Sequence, residues 1–248
     1  IRDRPALERL RDLGIPIVMV TSKTRAEVEV LQREMGLEEA FVVENGGGVF
    51  FPDSHGELEI PDSTMVSPYR LVTLGVPYSE VRRFIEDRQS RFDIEGFGDM
   101  GAARIAELTG LPMAQARLAE RRDFTEPFLI ADPEQLATLV EEAAAAGLAV
   151  TTGGRFHHLI GARQDKGRAV DVVTEIFRRH WGGEMETIAL GDSPNDLPML
   201  ERVDHPIVIP RVGGPSLQLQ KRRGRVAKHH GSLGWGEAVR ELIEPLYS

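Results

Sequence analysis

The stretch that decides the fold is TIALGDSPNDLPML, residues 187–200. Its apolar first half predicts a buried strand over 187–190, and its second half predicts a helix over 195–202. Asp192 follows the strand directly, and Asp196 comes four residues later, in the first helical turn. In an open parallel sheet, ligands bind outside the carboxyl ends of the strands, so both carboxylates are expected to face one crevice.

Either aspartate alone is explained as well by local structure, because Asp often starts turns and offsets helix dipoles. The complete string Gly-Asp-x-x-Asn-Asp after a buried strand is more specific. Two carboxylates at such a place suit a hard cation such as Mg²⁺, which prefers oxygen ligands and keeps several waters. We therefore predict a magnesium site at Asp192 and Asp196.

A second segment with the same design is VMVTSKT, residues 18–24. Thr21 ends the apolar run 15–20, which predicts a strand buried on both faces, and its hydroxyl could bind a phosphate oxygen. Ser22 lies next to it. The alternative assigns this segment to helix capping, with Thr24 and Glu27 forming a capping box. Both interpretations can hold together, with Thr24 as the cap and Thr21 facing the crevice.

A third segment is Gln164-Asp165-Lys166-Gly167, at the start of a helix predicted over 167–180. Lysine at a helix N-terminus opposes the helix dipole and needs an anionic partner nearby. Only four of the 30 basic residues are lysine, so a lysine here is less easily explained as a generic surface charge. Near a phosphoryl group it would offset negative charge.

The order of predicted elements indicates an α/β core that is interrupted by an α+β unit. We assign residues 1–66 and 165–248 to the core, a doubly wound parallel sheet, and residues 67–164 to the inserted unit. Within these limits the sequence predicts a hairpin over 49–60, a strand over 69–76 in the inserted unit and a helix over 78–90.

Composition narrows the classes of partner. The formal charge of −9 argues against a nucleic-acid-binding protein, and no apolar run is long enough for a membrane span. The chain has no cysteine, which is compatible with a cytoplasmic protein. No Gly-x-Gly-x-x-Gly follows a strand, so a dinucleotide-binding domain is disfavoured. The sequence gives no oligomeric state.

Taken together, the three segments resemble motifs II, III and IV of the haloacid-dehalogenase superfamily, in the branch with a large α+β cap. The resemblance to mannosyl-3-phosphoglycerate phosphatases extends over nearly the whole chain. It is carried by the strings VTSKTRAEVE, VVENGGGVFF, GFGDM, ELTGLP, RRDFTEPF, GGRFHHLIG, DKGRAV and ALGDSPNDLPML.

This resemblance implies roles by position. Thr21 would bind the substrate phosphate, Lys166 would stabilise an aspartyl-phosphate, and Asp192 and Asp196 would hold Mg²⁺, the latter directly or through water. The predicted substrate-binding residues are Ser22, Lys23 and Asn45 at the crevice edge, and Arg155 and His157 or His158 in the cap. For the cap residues a structural role is nearly as good, because one of two adjacent strand histidines points to the other face.

The superfamily's first motif, which carries the nucleophilic aspartate and the acid–base aspartate, is not found in this sequence. The segment after Ile1 already looks like the interior of a helix, so we expect a fragment that is inactive and poorly stable alone. The complete protein is expected to hydrolyse mannosyl-3-phosphoglycerate, a small sugar-phosphate substrate. The alternatives are another sugar phosphate (glucosyl-3-phosphoglycerate, sucrose phosphate or trehalose phosphate) or a non-catalytic phosphosugar-binding protein.

Overall fold

The computed structural model describes residues 4–153, 155–213, 217–220 and 224–246. The first part of the chain forms a five-stranded sheet with the strand order β1-β2-β3-β5-β4, in which β1 and β2 are parallel and the other pairs antiparallel. Its elements are α1 (Arg4–Asp12), β1 (Met19–Val20), α2 (Arg25–Met35), β2 (Phe41–Val43), β3 (Gly48–Pro52), β4 (Thr64–Val66) and β5 (Tyr69–Thr73).

The hairpin predicted over 49–60 is wrong. β3 ends at Pro52, and its partners are β2 on one side and β5 on the other. Residues 49–51 are almost fully buried, so their backbone N–H and C=O groups need partners on both sides. A local hairpin would provide partners on one side only. The predicted strand 69–76 exists as β5, but it pairs within this first sheet. The proposed boundary near residue 67 and the other domain limits stay predictions.

The five-stranded sheet is covered by helices on both faces. Phe41, Val43 and Phe50 pack with Val28 of α2 on one face. The alternate residues of the same strands pack against α8 (Lys166–Trp181) on the other face, and they include Val42, Val49 and Phe51. This alternation follows the period of two along a β-strand. The layering is that of a doubly wound core.

The last part of the chain forms a second, parallel sheet of β10 (Ile188–Gly191), β11 (His205–Val208) and β12 (Arg225–Val226). The helix predicted over 195–202 is divided into a 3₁₀ turn, Pro194–Asp196, and the short helix α9, Leu197–Leu200. The C-terminal helix α10 covers Gly231–Ile243 and packs against α1.

A groove of about 790 Å³ separates the two core sheets. Both residues of β1 and residue 18 before it line the groove on one side, and residues 188–190 of β10 line it on the other; most of the lining is apolar. In the part of the chain that the structure describes, β1 and β10 are each the edge strand of their sheet. The expectation that 15–20 is buried on both faces is therefore wrong: these residues are half-buried, because their groove side is open.

The inserted unit, which we call the cap unit, runs from Tyr78 to Gly161. Its antiparallel sheet has the order β6-β7-β9-β8, and helices α3 and α7 cover one face. The predicted helix 78–90 is broken into two. The elements are α3 (Tyr78–Glu86), α4 (Gln89–Phe92), β6 (Ile94–Gly96), α5 (Phe97–Thr109), α6 (Met113–Ala119), β7 (Glu126–Ile130), α7 (Leu136–Ala145), β8 (Leu148–Gly153) and β9 (Phe156–Gly161).

The two connections between core and cap unit lie side by side. The amides of Leu74 and Gly75, in the first connection, both donate to the carbonyl of Gly47. In the second connection, the Asp165 carbonyl lies against the Cα of Gly46, where a Cβ would collide with it. Neighbouring glycines of one core turn thus hold both ends of the insertion. Within the described segments, no helix is long and apolar enough to cross a membrane.

Candidate active site

Thr21 lies directly after β1, at the mouth of the groove. Its amide donates to Val42 of β2, and its carbonyl accepts the amide of Asn45 at 2.9 Å. The hydroxyl oxygen accepts the amide of Lys23 at 3.2 Å, which leaves the O–H of Thr21 available to donate. The predicted capping box between Thr24 and Glu27 is confirmed, and it begins α2 immediately after this loop.

The turn Glu44-Asn45 brings a second group to the same edge. Both residues have positive φ, 49° and 59°, which is uncommon for residues other than glycine and Asn. Asn45 is buried, and its Oδ1 accepts the side-chain amide of Asn195 at 2.8 Å, across from the loop after β10. Asn45 Nδ2 and Asn195 Oδ1 are buried without a hydrogen-bond partner among the described residues. An anionic oxygen near Asn45 would satisfy this donor.

Lys166 and Asp196 form a buried ion pair. Lys166 Nζ lies 2.6 Å from Asp196 Oδ1, and the two side chains are 6% and 9% exposed. Asp196 Oδ2 also accepts the backbone amides of Asp192 and Ser193, each at 3.0 Å. The carboxylate therefore offsets the unfavourable position of Lys166 at the start of α8. The ammonium keeps further N–H donors for another anion.

The predicted magnesium ligands differ in their surroundings. Both oxygens of Asp196 already accept hydrogen bonds, whereas Asp192 is exposed and its Oδ1 accepts only the hydroxyl of Ser193. Among the residues that the structure describes, no three Asp, Glu or His side chains come close enough to hold a metal. The Asp192 carboxylate therefore keeps an oxygen available for a metal ion, whereas both oxygens of Asp196 are already engaged.

The remaining predicted substrate residues lie at two places. Lys23 is at the crevice edge, 40% exposed, with its Nζ 2.7 Å from Glu27. Ser22 is held by its carbonyl, which accepts Arg122 of the cap unit. In the cap unit, Arg155 donates to the carbonyl of Leu108.

His157 contacts Thr152 at 3.1 Å and the ring of Phe128, on the face of the cap sheet that α3 and α7 cover. Burial lowers the pKa of His157. These contacts of Arg155 and His157 all lie within the cap unit, although β8 itself lies against the turn 194–196 of the core. The roles of all these residues stay predictions.

Comparison with known proteins identifies the family of this chain. A glucosyl-3-phosphoglycerate/mannosyl-3-phosphoglycerate phosphatase of Persephonella marina is 45% identical over 242 residues, covering 98% of this chain and 90% of the relative. A protein of the same name from Methanococcoides burtonii is 40% identical over 97% of this chain and 89% of its own length. This chain belongs to the mannosyl-3-phosphoglycerate phosphatase family.

The family model of the haloacid dehalogenase-like hydrolases matches residues 113–210 of this chain. The crystal structure of Thermoplasma acidophilum protein 0175 shares the fold, with a TM-score of 0.68 at 17% identity, over 97% of this chain and 88% of that one. The predicted family, the fold with a cap and the enzyme class, a phosphatase, are thus confirmed.

Sequence reasoning missed Glu44 and Asn195, two residues of the candidate site. Glu44 is fully buried and, with Arg122, joins the core to the cap unit. Asn195 pairs with Asn45. Glu44 and Asn195 each stand beside a predicted residue in the sequence, but no spacing rule shows that a charged side chain after a strand will point into a domain contact. Only the three-dimensional arrangement gives that information.

Proposed function

We propose that this protein hydrolyses the phosphomonoester of a glycosyl-3-phosphoglycerate, with mannosyl-3-phosphoglycerate preferred, in two steps through an aspartyl-phosphate. The observation that carries the proposal is a cluster joined by contacts: Asn45 bonds to Thr21 and to Asn195, and the next residue, Asp196, pairs with Lys166. This cluster offers a hydroxyl, an unpaired amide and an ammonium, which are donors for a phosphoryl group. The relatives' names supply the substrate class.

The proposed reaction needs a nucleophile beside this cluster. We propose that a strand carrying two aspartates occupies the groove and pairs with the edge strands β1 and β10. The groove supports this because it is apolar along its length and Thr21 lies at its end. An unfilled groove also leaves backbone groups of both edge strands unpaired, at a cost of about 1–3 kcal/mol for each that is buried.

In the first step, the first aspartate attacks phosphorus and the bond from phosphorus to the ester oxygen breaks. The second aspartate protonates the leaving oxygen. Water then attacks phosphorus of the aspartyl-phosphate while the second aspartate accepts a proton from the water. The bond from phosphorus to the first aspartate breaks, which releases phosphate and restores the carboxylate. Thr21 would donate to a phosphate oxygen. Lys166 would offset the negative charge on the phosphoryl group in both steps. Lys23 and Ser22 would bind the remainder of the substrate at the crevice edge.

We further propose dependence on Mg²⁺, with Asp192 and an aspartate of the added strand as ligands and Asp196 contributing through water at most. When bound, the ion would offset negative charge on the phosphoryl oxygens. A cytoplasmic location and a small-molecule substrate belong to the same proposal.

The test is phosphate release by two chains, the one described here and one extended upstream to the start codon of its gene. Each is assayed with mannosyl-3-phosphoglycerate, glucosyl-3-phosphoglycerate, sucrose phosphate and trehalose phosphate, with and without Mg²⁺. We expect activity only in the extended chain, on the glycosyl-3-phosphoglycerates, and loss of that activity in Asp192→Asn. Equal rates in both chains would refute the added nucleophile. Tight binding without hydrolysis by the extended chain would favour a phosphosugar-binding protein.

A further inference from the structure

A carboxylate that the proposed reaction does not use joins the core to the cap unit. Glu44 is 0% exposed and stands directly after β2. Its carboxylate accepts three consecutive backbone amides of the cap unit, those of Asp123 at 2.8 Å, Phe124 at 3.1 Å and Thr125 at 2.8 Å. It also accepts the hydroxyl of Thr125 at 2.9 Å. Bonds of this kind to a buried charge are among the stronger hydrogen bonds in proteins.

A guanidinium completes the contact. Arg122 Nε lies 3.3 Å from Glu44 Oε2, and the two side chains are 3% and 0% exposed. The same guanidinium donates to both oxygens of Thr125 and, through Nη2, to the carbonyl of Ser22 at 3.0 Å. Arg122 therefore ties the cap unit to the loop between Thr21 and Lys23, where the phosphate is proposed to bind.

The geometry around Glu44 shows why this residue can act on the site. Its amide donates to the carbonyl of Lys23 at 3.0 Å, and the next amide, that of Asn45, donates to Thr21. Its own carbonyl accepts Gln164 of the second connection at 2.6 Å. A residue with φ of 49° thus has its backbone fixed to the phosphate loop and its side chain fixed to the cap unit. Such strain persists only where the surroundings hold it.

We infer that Glu44 is a positioning residue, whose carboxylate holds the cap segment 122–125 over the loop between Thr21 and Lys23. It thereby sets how the non-phosphate part of the substrate is placed. This inference rests on the proposed phosphatase function. Glu44 acts through the cap unit and does not touch the reacting atoms. Substrates that reach into the cap unit therefore depend on Glu44, whereas a small aryl phosphate does not.

The test compares Glu44→Gln with a matched control, Glu126→Gln. Glu126 is also 0% exposed and accepts Tyr78, Gly98 and Arg82, but all these partners are inside the cap unit. In the extended chain with Mg²⁺, Glu44→Gln is expected to lower kcat/KM for mannosyl-3-phosphoglycerate by about tenfold or more, the effect of one lost charged hydrogen bond. For p-nitrophenyl phosphate the change is expected to stay within about twofold, and Glu126→Gln should leave the ratio of the two substrates unchanged.

Hydrogen exchange gives a readout that does not need catalysis. In Glu44→Gln, the amides of 123–125 should exchange faster, while those of β7 and β9 keep their protection. Thr125→Val, which replaces the hydroxyl, should show the same faster exchange more weakly. Thr125→Ser keeps the hydroxyl and should keep the protection of the unmodified protein. This second pair keeps the test valid if Glu44→Gln does not fold.

The possible results separate the two proposals. Faster exchange confined to 123–125, with a selective loss for the glycosyl substrate, supports the inference. Equal losses for both substrates, or faster exchange over the whole chain, would show that Glu44 merely stabilises the fold. If the unmodified extended chain hydrolyses neither substrate, the proposed function fails, and unchanged exchange at 123–125 in the variants would overturn the contact itself.

Discussion

The buried ion pair between Lys166 and Asp196 permits a quantitative prediction. Lys166→Met removes the charge and keeps most of the volume, so Asp196 Oδ1, at a site 9% exposed, loses its partner at 2.6 Å. Breaking a buried pair from one side costs about 3–5 kcal/mol. Because Oδ2 keeps two backbone donors, we take the lower end and expect a loss of about 3 kcal/mol in the free energy of unfolding.

The chain provides its own control for this measurement. Lys228 and Glu241 form an ion pair of the same length, 2.6 Å, but both of their side chains are exposed, by 72% and 55%. Lys228→Met should therefore destabilise the protein much less, because water screens an exposed pair. Urea unfolding of both variants, followed by far-UV circular dichroism, gives the two values.

A double-mutant cycle with Asp196→Asn tests the pairing directly. The double variant should lose less than the sum of the single losses, by about 1 kcal/mol or more. Each single change already breaks the pair and leaves the other partner without its counter-charge, so the second change has no pair left to break. If Lys166→Met costs no more than Lys228→Met, or if the losses simply add, the pair is not the stabilising contact described here.

Three further predictions follow from single contacts. Gly46→Ala places a Cβ against the Asp165 carbonyl at φ +91° and should destabilise more than Gly147→Ala, which has φ +73° and open space and should cost about 1–2 kcal/mol; thermal unfolding compares them. His157 has its pKa lowered by burial from 6.5, so the unfolded chain binds more protons and stability falls as pH drops through 6.5. His157→Asn should reduce this fall between pH 8 and 5, and an unchanged pH profile would contradict the burial. Thr24→Ala removes the N-cap of α2 and a bond to Leu118, and should cost about 1 kcal/mol or more in urea unfolding, whereas Thr24→Ser should keep most of it.

Local signals in the sequence predicted single helices and strands better than they predicted the pairing of strands. The strand before Asp192, the capping box at Thr24 and the helix that starts at Lys166 are each defined by residues within a few positions of one another. These elements appear in the structure near their expected limits. The pairing of β3 with β5 depends instead on residues about twenty positions apart, and the local pattern at 49–60 could not reveal it.

Side-chain direction was the other limit. The sequence places His157 and His158 on opposite faces of a strand, but which face is covered by helices depends on α3 and α7, which come from distant segments. In the same way, the apolar run 15–20 reads as fully buried, yet its burial depends on what lies in the groove.

The anchoring of both connections on Gly46 and Gly47 bears on how this architecture can be rebuilt. The chain leaves the core near Leu74 and returns at Asp165 beside the same turn. The insertion therefore does not push apart the two core segments that it connects. A few residues joining these two points would close the core without shifting β5 or α8. The inserted sheet is therefore open to exchange as a module, provided that the replacement keeps the contacts of segment 122–125 with Glu44 and Ser22.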